Sequence, residues 1–186
     1  SAQFHIKDIG TGTGCIAISI ALELLSNNID EFKIKAVDIS QEALDIAEQN
    51  ISKYDLDKYI ELAQMDITQQ NIQKDIQIYN QQNIFNILVS NPPYISTSEY
   101  EDLDKSVKKE PYLALTGDRD NTDGMKYYRH ICDLSLAWDG IFLELDPDRA
   151  TNILDLYRSK YPDLELELKE DYNKFTRFLI TQWKNI

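Results

Sequence analysis

The sequence has little of several features that would assign it to a class of protein at once. Its two cysteines, Cys15 and Cys132, lie far apart without metal-ligand spacing, so we expect neither a disulfide framework nor a metal site. No apolar run approaches the roughly 18 residues that cross a bilayer, and no signal peptide opens the chain, so no membrane partner is expected. Basic residues are also scarce, with 19 Lys and Arg against 32 Asp and Glu and a formal net charge of −13. A direct nucleic-acid partner is therefore not expected, because phosphate binding depends on Lys and Arg.

The residues that are present have the composition of an ordinary folded domain. Hydrophobic residues make up 42% and aromatic residues 10% of 186 residues, which favours one domain with a sizeable core. The chain starts at Ser1 without an initiator methionine and enters a strand pattern almost at once, so we expect that an upstream segment was removed. We therefore expect one domain over residues 1–186, and a monomer.

Strand and helix patterns alternate along the chain. Short apolar runs predict strands at 4–9, 32–37, 60–64, 85–90, 141–145, 164–168 and 175–182. Longer patterns predict helices at 15–25, 41–53, 125–138 and 149–160. Residues 68–83, rich in Gln and Asn, predict a solvated and loosely helical insertion, and residues 91–123 a long irregular stretch. Strands separated by helices of this length predict an α/β fold with an open parallel sheet and helices on both faces.

A glycine-rich turn follows the first strand pattern directly. From Asp8 to Gly14 the sequence reads Asp-Ile-Gly-Thr-Gly-Thr-Gly, and a helix pattern follows. Glycines let the backbone turn tightly and let a ligand approach closely, and the helix N-terminus directs free N–H groups into that space. The spacing is not the G-x-G-x-x-G of dinucleotide sites, and the Asp8 carboxylate suits a cationic group better than a phosphate. The pattern predicts a nucleotide-like ligand with positive charge; a tight turn without a ligand is the alternative.

Two further acids follow the next two strand patterns. Asp38 lies at about the distance from the glycines at which dinucleotide folds place their ribose-binding carboxylate, so we expect it to hold ribose hydroxyls. An Asp that only caps the following helix is the alternative for this position. Asp66 follows the third strand pattern and is placed to meet an adenine amino group, with a surface turn as its alternative.

The most specific motif is Asn-Pro-Pro-Tyr, which follows Ser90 at the end of the fourth strand pattern. Ligand crevices of open α/β sheets lie at such strand ends. Pro92 and Pro93 fix two φ angles and remove two backbone donors, so the Asn91 side chain and the Pro92 carbonyl are displayed as acceptors. Such a loop suits a planar NH₂ group, with one proton going to each acceptor and Tyr94 packed over the plane.

Together, the glycine turn, Asp38 and Asn91–Tyr94 resemble the S-adenosylmethionine-dependent methyltransferases that modify an amino group in a planar system. This resemblance implies a Rossmann-like class I methyltransferase fold. Its sheet has seven mostly parallel strands with helices on both faces, and its last strand is antiparallel. The cofactor would be S-adenosylmethionine, the product S-adenosyl-L-homocysteine, and no metal would be needed.

Within that class the chain is similar to the HemK family over nearly its whole length. The similarity is carried by Val89–Ile95, followed by Glu110-Pro111 and Ala114-Leu115. Members of this family methylate the side-chain amide of the glutamine in the Gly-Gly-Gln (GGQ) tripeptide of peptide-chain release factors. The resemblance therefore implies an enzyme, a protein-(glutamine-N5) methyltransferase, with the GGQ loop of a release factor as its partner.

The resemblance also assigns roles to individual residues. Cofactor binding falls to Asp8, Gly10, Thr11, Gly12, Gly14, Asp38, Ile39, Asp66, Ile67 and Asn91. Substrate binding falls to Asn91, Pro92, Pro93 and Tyr94, of which Asn91, Pro92 and Tyr94 would be catalytic. Acceptance of both amide protons would favour charge on the nitrogen and orient it toward the methyl group.

Two features depart from the family pattern. Residues 117–124 are longer than the usual Gly-Gly-x-Asp-Gly, and Asp146 replaces the glycine of Glu-Ile-Gly. These departures indicate an organellar or otherwise divergent member, so we expect the mitochondrial matrix or a bacterial cytoplasm. The family's N-terminal helical domain is expected to be absent.

Two other functions remain open from the sequence. An adenine N6-type DNA or RNA methyltransferase could use the same Asn-Pro-Pro-Tyr loop, because a flipped adenine also presents a planar NH₂ group. The negative charge disfavours this alternative. The other alternative is a non-catalytic, cofactor-binding partner subunit, which the intact glycines, Asp38 and Asn91 disfavour.

Overall fold

The structure, a computed structural model, describes residues 3–69, 84–135 and 138–183. Its strands are β1 Gln3–Ile9, β2 Phe32–Asp38, β3 Ile60–Gln64, β4 Ile84–Ser90, β5 Gly140–Glu144, β6 Leu164–Glu170 and β7 Thr176–Trp183. Its α-helices are α1 Cys15–Ser26, α2 Gln41–Lys53, α3 Thr97–Asp102, α4 Tyr112–Thr116, α5 Lys126–Asp133 and α6 Ala150–Lys160. Each strand predicted from the sequence is confirmed to within three residues at either end.

The seven strands form one mixed sheet in the order β3-β2-β1-β4-β5-β7-β6. β1 pairs in parallel with β2 and with β4, and β2 pairs in parallel with β3, whereas β6 and β7 pair antiparallel. The jump from β3 at one edge to β4 beside β1 requires a crossover, as expected for βαβ units. The predicted fold class, including the antiparallel last strand, is therefore confirmed.

Two predictions about secondary structure are wrong. The stretch 91–123 is not irregular throughout, because it contains α3, a 3₁₀ turn at Val107–Lys109 and α4. α3 buries no residue, so it has no apolar period to detect. The helix predicted at 125–138 is shorter, because the chain leaves α5 through a tightened turn in which the Leu134 N–H donates to the Ile131 carbonyl. Most of the insertion predicted at 68–83 lies outside the described residues.

By its contacts the chain divides into two compact units. The first contains residues 1–90 and 137–142, and the second contains residues 91–136 and 143–186. In the first unit, Ala17 and Ala21 of α1 are fully buried in a cluster with Ile34 and Ala36 of β2. The small side chains of α1 let this helix approach the sheet closely. Much of its surface is covered by the cluster, which explains why its residues are nearly all apolar.

The second unit has its own buried residues on α5 and α6. Tyr128 and Tyr157 are both fully buried, and the Tyr128 hydroxyl donates to the Glu144 carbonyl at 3.0 Å. The Tyr161 hydroxyl donates to the Cys132 carbonyl at 2.9 Å, which joins the ends of the two helices. Among the described residues, no helix is long and apolar enough to cross a membrane.

Candidate active site

The glycine turn between β1 and α1 depends on backbone angles that favour glycine. Gly10, Gly12 and Gly14 have φ angles of 71°, 56° and 84°, in the left-handed region. A Cβ on Gly14 would touch Ala47 of α2, whereas a Cβ on Gly12 would meet nothing within 4 Å. Gly14 is thus needed for packing, and Gly12 faces open space into which a ligand can approach.

The turn is tied to the end of β2 by several hydrogen bonds. The N–H groups of Gly10 and Thr11 both donate to the Val37 carbonyl, at 2.9 and 3.0 Å. The Gly12 N–H donates to Asp38 Oδ2 at 2.8 Å, and the Ser40 N–H donates to Asp38 Oδ1 at 2.9 Å. The carboxylate of Asp38 therefore joins the glycine turn to the start of α2. The helix cap itself is Ser40, which accepts from the Ala43 N–H, so Asp38 is not the residue that caps α2; its binding of ribose hydroxyls stays a prediction.

Asp8 lies beneath the turn and is fully buried. The Thr11 hydroxyl donates to its Oδ2 at 2.7 Å, while its Oδ1 has no hydrogen-bond partner among the described residues. The pKa of Asp8 is raised from 3.8 to about 6, mainly by burial and to a smaller extent by the nearby Asp38 carboxylate, while hydrogen bonds from Thr11 and the Ala17 backbone oppose the shift. A buried carboxyl group with an unpartnered oxygen beside a second carboxylate favours a positively charged ligand. The residues present therefore fit the cationic, nucleoside-containing cofactor that the sequence predicts.

Asp66 occupies a turn of its own after β3. Its Oδ1 accepts from the Thr68 N–H at 2.9 Å and from the Thr68 hydroxyl at 2.7 Å. The Met65 N–H donates to the Asp38 carbonyl at 2.8 Å, which brings the end of β3 beside the end of β2. Both Ile39 and Ile67 are predicted to bind the cofactor; the side chain of Ile39 is 47% exposed, whereas that of Ile67 is buried.

The Asn-Pro-Pro-Tyr loop begins at a fixed strand end. Ser90, the last residue of β4, pairs with Ile9 of β1, and its hydroxyl donates to the Ile9 carbonyl at 2.7 Å. Asn91 follows directly and is exposed, while Pro92 is buried and Pro93 and Tyr94 are half-buried. Of the two predicted acceptors, the Asn91 side chain is therefore the accessible one.

Tyr94 lies in a polar part of the second unit. Burial raises its pKa above the ordinary value, the carboxylates of Glu144 and Asp146 raise it further, and Arg177 opposes them. The ring therefore stays neutral and un-ionised at physiological pH, as expected for a residue that packs over a planar group.

Three residues near this loop were missed by reasoning from the sequence. Asn121 is fully buried. Its side-chain NH₂ group donates to the Thr116 carbonyl at 2.9 Å, and its backbone carbonyl accepts from the Thr97 N–H. Gly124 has a φ of 69°, and a Cβ there would overlap the Tyr94 carbonyl oxygen and the Arg149 guanidinium. Arg149 is itself buried. The glycine was a detectable signal, but nothing local marks Asn121 or Arg149.

Solved structures share the fold of this chain. The METTL16 methyltransferase domain without its N-terminus matches with a TM-score of 0.64 and 14% identity, over 100% of this chain and 74% of that one. The N-terminal domain of human METTL16 in complex with SAH matches with a TM-score of 0.57 and 16% identity, over 100% of this chain and 63% of that one. TrmN from Thermus thermophilus matches with a TM-score of 0.58 and 17% identity, over 98% and 44%. The fold is that of the class I methyltransferases.

The sequence comparisons define the family. The methyltransferase small domain family matches residues 2–109, which include the glycine turn and the Asn-Pro-Pro-Tyr loop, and the chain belongs to this family. Curated relatives named release factor glutamine methyltransferase confirm the resemblance found in the sequence. The relative from Chlorobaculum tepidum is 33% identical over 94% of this chain and 55% of its own length. The relative from Bacillus subtilis is 35% identical over 92% of this chain and 55% of its own length. The relative from Flavobacterium psychrophilum is 39% identical over 91% and 55%. The chain thus spans about half the length of the curated relatives it matches.

Proposed function

We propose that this chain transfers the methyl group of S-adenosylmethionine to the side-chain amide nitrogen of the GGQ glutamine in a peptide-chain release factor. The observation that carries the proposal is the exposed Asn91 at the fixed end of β4, followed by two prolines and Tyr94. Relatives that are 30–39% identical to this chain over the aligned residues are named release factor glutamine methyltransferase, which supports the proposal.

The residues of the first unit would hold the cofactor. Asp38 retains free lone pairs for ribose hydroxyls while it holds the Gly12 and Ser40 N–H groups. The open space at Gly12 admits the ligand, and the Asp8 carboxyl group lowers the cost of its positive charge. When bound, S-adenosylmethionine supplies a methyl group already activated by its sulfonium sulfur. Ile39 offers an exposed apolar side chain next to Asp38 for the base.

The residues after β4 would prepare the amide. Resonance with the carbonyl makes an amide nitrogen a poor nucleophile, so its two protons must be held by acceptors that favour charge on the nitrogen. The Asn91 side-chain oxygen is the accessible acceptor and the Pro92 carbonyl is the second. Two consecutive prolines fix the direction of both, because their φ angles cannot vary and neither offers a competing N–H. Tyr94, kept neutral by burial, would pack against the plane of the amide.

The test is a methyl-transfer assay with labelled cofactor. Label should appear on a release factor with Gly-Gly-Gln and be absent when the glutamine is changed to Asn or Ala. Asn91→Ala should reduce turnover by about a hundredfold or more, as for loss of a preorganised transition-state contact. Asn152→Ala, an exposed asparagine on α6, serves as the matched control and should retain normal turnover.

Two outcomes would contradict the proposal. Transfer to an adenine-containing oligonucleotide but not to the release factor would support the nucleic-acid alternative. Cofactor binding with no transfer to either substrate would support a non-catalytic role. The names of the curated relatives favour the release factor over both alternatives, and the net charge of −13 disfavours the nucleic-acid alternative. The compartment, mitochondrial matrix or bacterial cytoplasm, stays a prediction.

A further inference from the structure

One buried arginine of the second unit contacts three separate segments of that unit. The Arg149 side chain is 11% exposed, and each of its three nitrogen atoms has a different acceptor. Nε donates to the Asp123 carbonyl at 3.2 Å, Nη1 pairs with Asp146, and Nη2 pairs with Glu99. A guanidinium can fix three directions at once, because its donors lie in one rigid plane.

Two of these acceptors coincide with the departures from the family pattern. Asp123 belongs to the long segment 117–124, and Asp146 stands where a glycine is usual. In the structure the two departures are linked, because the Arg149 guanidinium binds both the backbone carbonyl of Asp123 and the carboxylate of Asp146. They therefore form one local arrangement, and Arg149 completes it.

The third acceptor leads to the segment after Asn-Pro-Pro-Tyr. Glu99 accepts from the Ser96 N–H at 2.8 Å, while the Ser96 hydroxyl accepts from the Glu99 N–H at 3.2 Å, a capping box that begins α3. Partial burial opposes ionisation of Glu99, but hydrogen bonds from Ser96 and Arg149 lower its pKa, so it is charged at neutral pH. Arg149 thereby holds the Glu99 carboxylate of the capping box at the start of α3.

Gly124 lies close both to this guanidinium and to the Asn-Pro-Pro-Tyr loop. Gly124 packs so closely that a Cβ would overlap both the Tyr94 carbonyl oxygen and Arg149. The backbone of Tyr94 therefore lies next to the 117–124 segment, which Arg149 holds through the Asp123 carbonyl. Arg149 thus contacts Glu99 directly at one end of Tyr94–Glu99 and reaches the other end through the neighbour of Gly124.

We propose that Arg149 is a positioning residue that fixes segment 94–99 through Glu99, Asp123 and Asp146, and that this fixes Tyr94 for substrate binding. The positioning of the segment stands on contacts within the second unit alone. Its consequence for methyl transfer rests on the proposed function. Arg149 would touch neither the cofactor nor the amide.

Hydrogen exchange tests the positioning directly, without any substrate. Arg149→Gln and Arg149→Lys should both raise exchange at the amides of residues 96–100 by at least about tenfold, because hydrogen bonds to charged groups are lost. Lysine should not rescue, since its single ammonium cannot reach three acceptors in one plane. Arg158→Gln, which removes an exposed arginine from α6, the helix that follows Arg149, should leave exchange unchanged. Unchanged exchange in both Arg149 variants would overturn the proposal.

A milder variant, Glu99→Gln, distinguishes a local effect on α3 from general destabilisation of the protein. Glu99→Gln removes one ion pair from a side chain that is 49% exposed, and the Ser96 contacts can be retained by the amide. It should raise exchange at residues 96–100 while exchange in β1 and β2 stays at the wild-type level. Equal increases in α3 and in the strands would indicate general destabilisation and would contradict a local role.

Kinetics separate this proposal from the proposed function. In Arg149→Lys the KM for the release factor should rise, and kcat/KM should fall by about tenfold to a hundredfold, as for misplacement of a substrate-binding group. The calorimetric Kd for S-adenosylmethionine should stay unchanged. If wild-type protein methylates no release factor but the exchange results hold, the proposed function fails and the positioning role stands. A raised Kd for the cofactor with an unchanged KM for the release factor would contradict the assignment of Arg149 to the substrate side.

Discussion

Asp8 and Asp38 show how two residues of one type can take different roles in the same site. Asp38 has both oxygens engaged by backbone N–H groups and remains partly accessible. Asp8 is fully buried with one oxygen unpartnered, and its pKa lies at about 6. Asp38 is therefore an organising anion of the turn, whereas Asp8 is a group whose charge state depends on what the site contains.

The raised pKa of Asp8 predicts a pH dependence of stability. The folded pKa of about 6 exceeds the ordinary 3.8, so folding favours the protonated form. The contribution of protonated Asp8 to the free energy of unfolding is fully present below pH 3.8 and is lost as the pH rises through 6. For a pKa shift of this size the contribution is on the order of 3 kcal/mol. Denaturant melts at pH 4 and pH 8 should therefore show the Asp8→Asn variant gaining stability relative to wild type at the higher pH. An equal difference at both pH values would contradict the shift.

Gly12 provides a second prediction for a single residue. Gly12→Ala should weaken cofactor binding by about tenfold or more, because the Cβ occupies the open space and φ of 56° is strained for alanine. The apo protein should lose only about 1 kcal/mol, the cost of one left-handed alanine. Calorimetry and melting curves measure the two effects. Thr13→Ala, at an exposed position of the same turn, should change neither, and equal losses in both variants would contradict the assignment.

The elements differ in how strongly local sequence determines them. β2 and α2 were predictable because alternating apolar residues and the Ser40 cap are properties of short segments. α3 was not predicted, although Ser96 and Glu99 have the spacing of a capping box, because no apolar period follows. The bounds of α5 were wrong since a tightened last turn depends on the packing that follows it.

The role of β2 in the first core can be tested by truncation. Ile34 is 1% exposed in the cluster formed by β1, β2 and α1, so Ile34→Ala should cost about 2–5 kcal/mol of unfolding free energy. Ile46 on α2 is 48% exposed, and Ile46→Ala should cost less than about 1 kcal/mol. Urea unfolding measures both. Similar costs at the two positions would contradict the assignment of Ile34 to the core.

At the scale of the whole molecule, the charge and the division into two units matter most. The net charge of −13 disfavours polyanions and favours basic protein surfaces as partners. The residues proposed to bind the cofactor, Asp8–Gly14 and Asp38, lie in the first unit, and the proposed substrate residues Asn91–Tyr94 lie in the second. Under the proposed function, the two sets of residues therefore belong to different parts of the chain.

The charge leads to a prediction about nucleic acid. The protein should pass through a heparin column at about 0.15 M salt and should bind an anion exchanger, because 32 acidic residues outnumber the 19 basic residues that could bind sulfate groups on contact. A release factor immobilised under the same conditions should retard it. Retention on heparin that requires high salt for elution would contradict the prediction and favour the adenine alternative.

The sequence by itself determined the features that depend on neighbouring residues. These are the alternation of strands and helices, the glycine turn, Asp38 at a strand end and the rigid Asn91–Tyr94 loop, each of which follows from periodicity or from the chemistry of glycine and proline. Tertiary structure alone decided the burial of Asp8, the close contact of Gly124 with Tyr94 and the three acceptors of Arg149. Glu99 and Arg149 are 50 residues apart in the chain, and only the folded backbone brings them together. Desolvation and contacts between distant segments are properties of the packed molecule, so no local pattern encodes them.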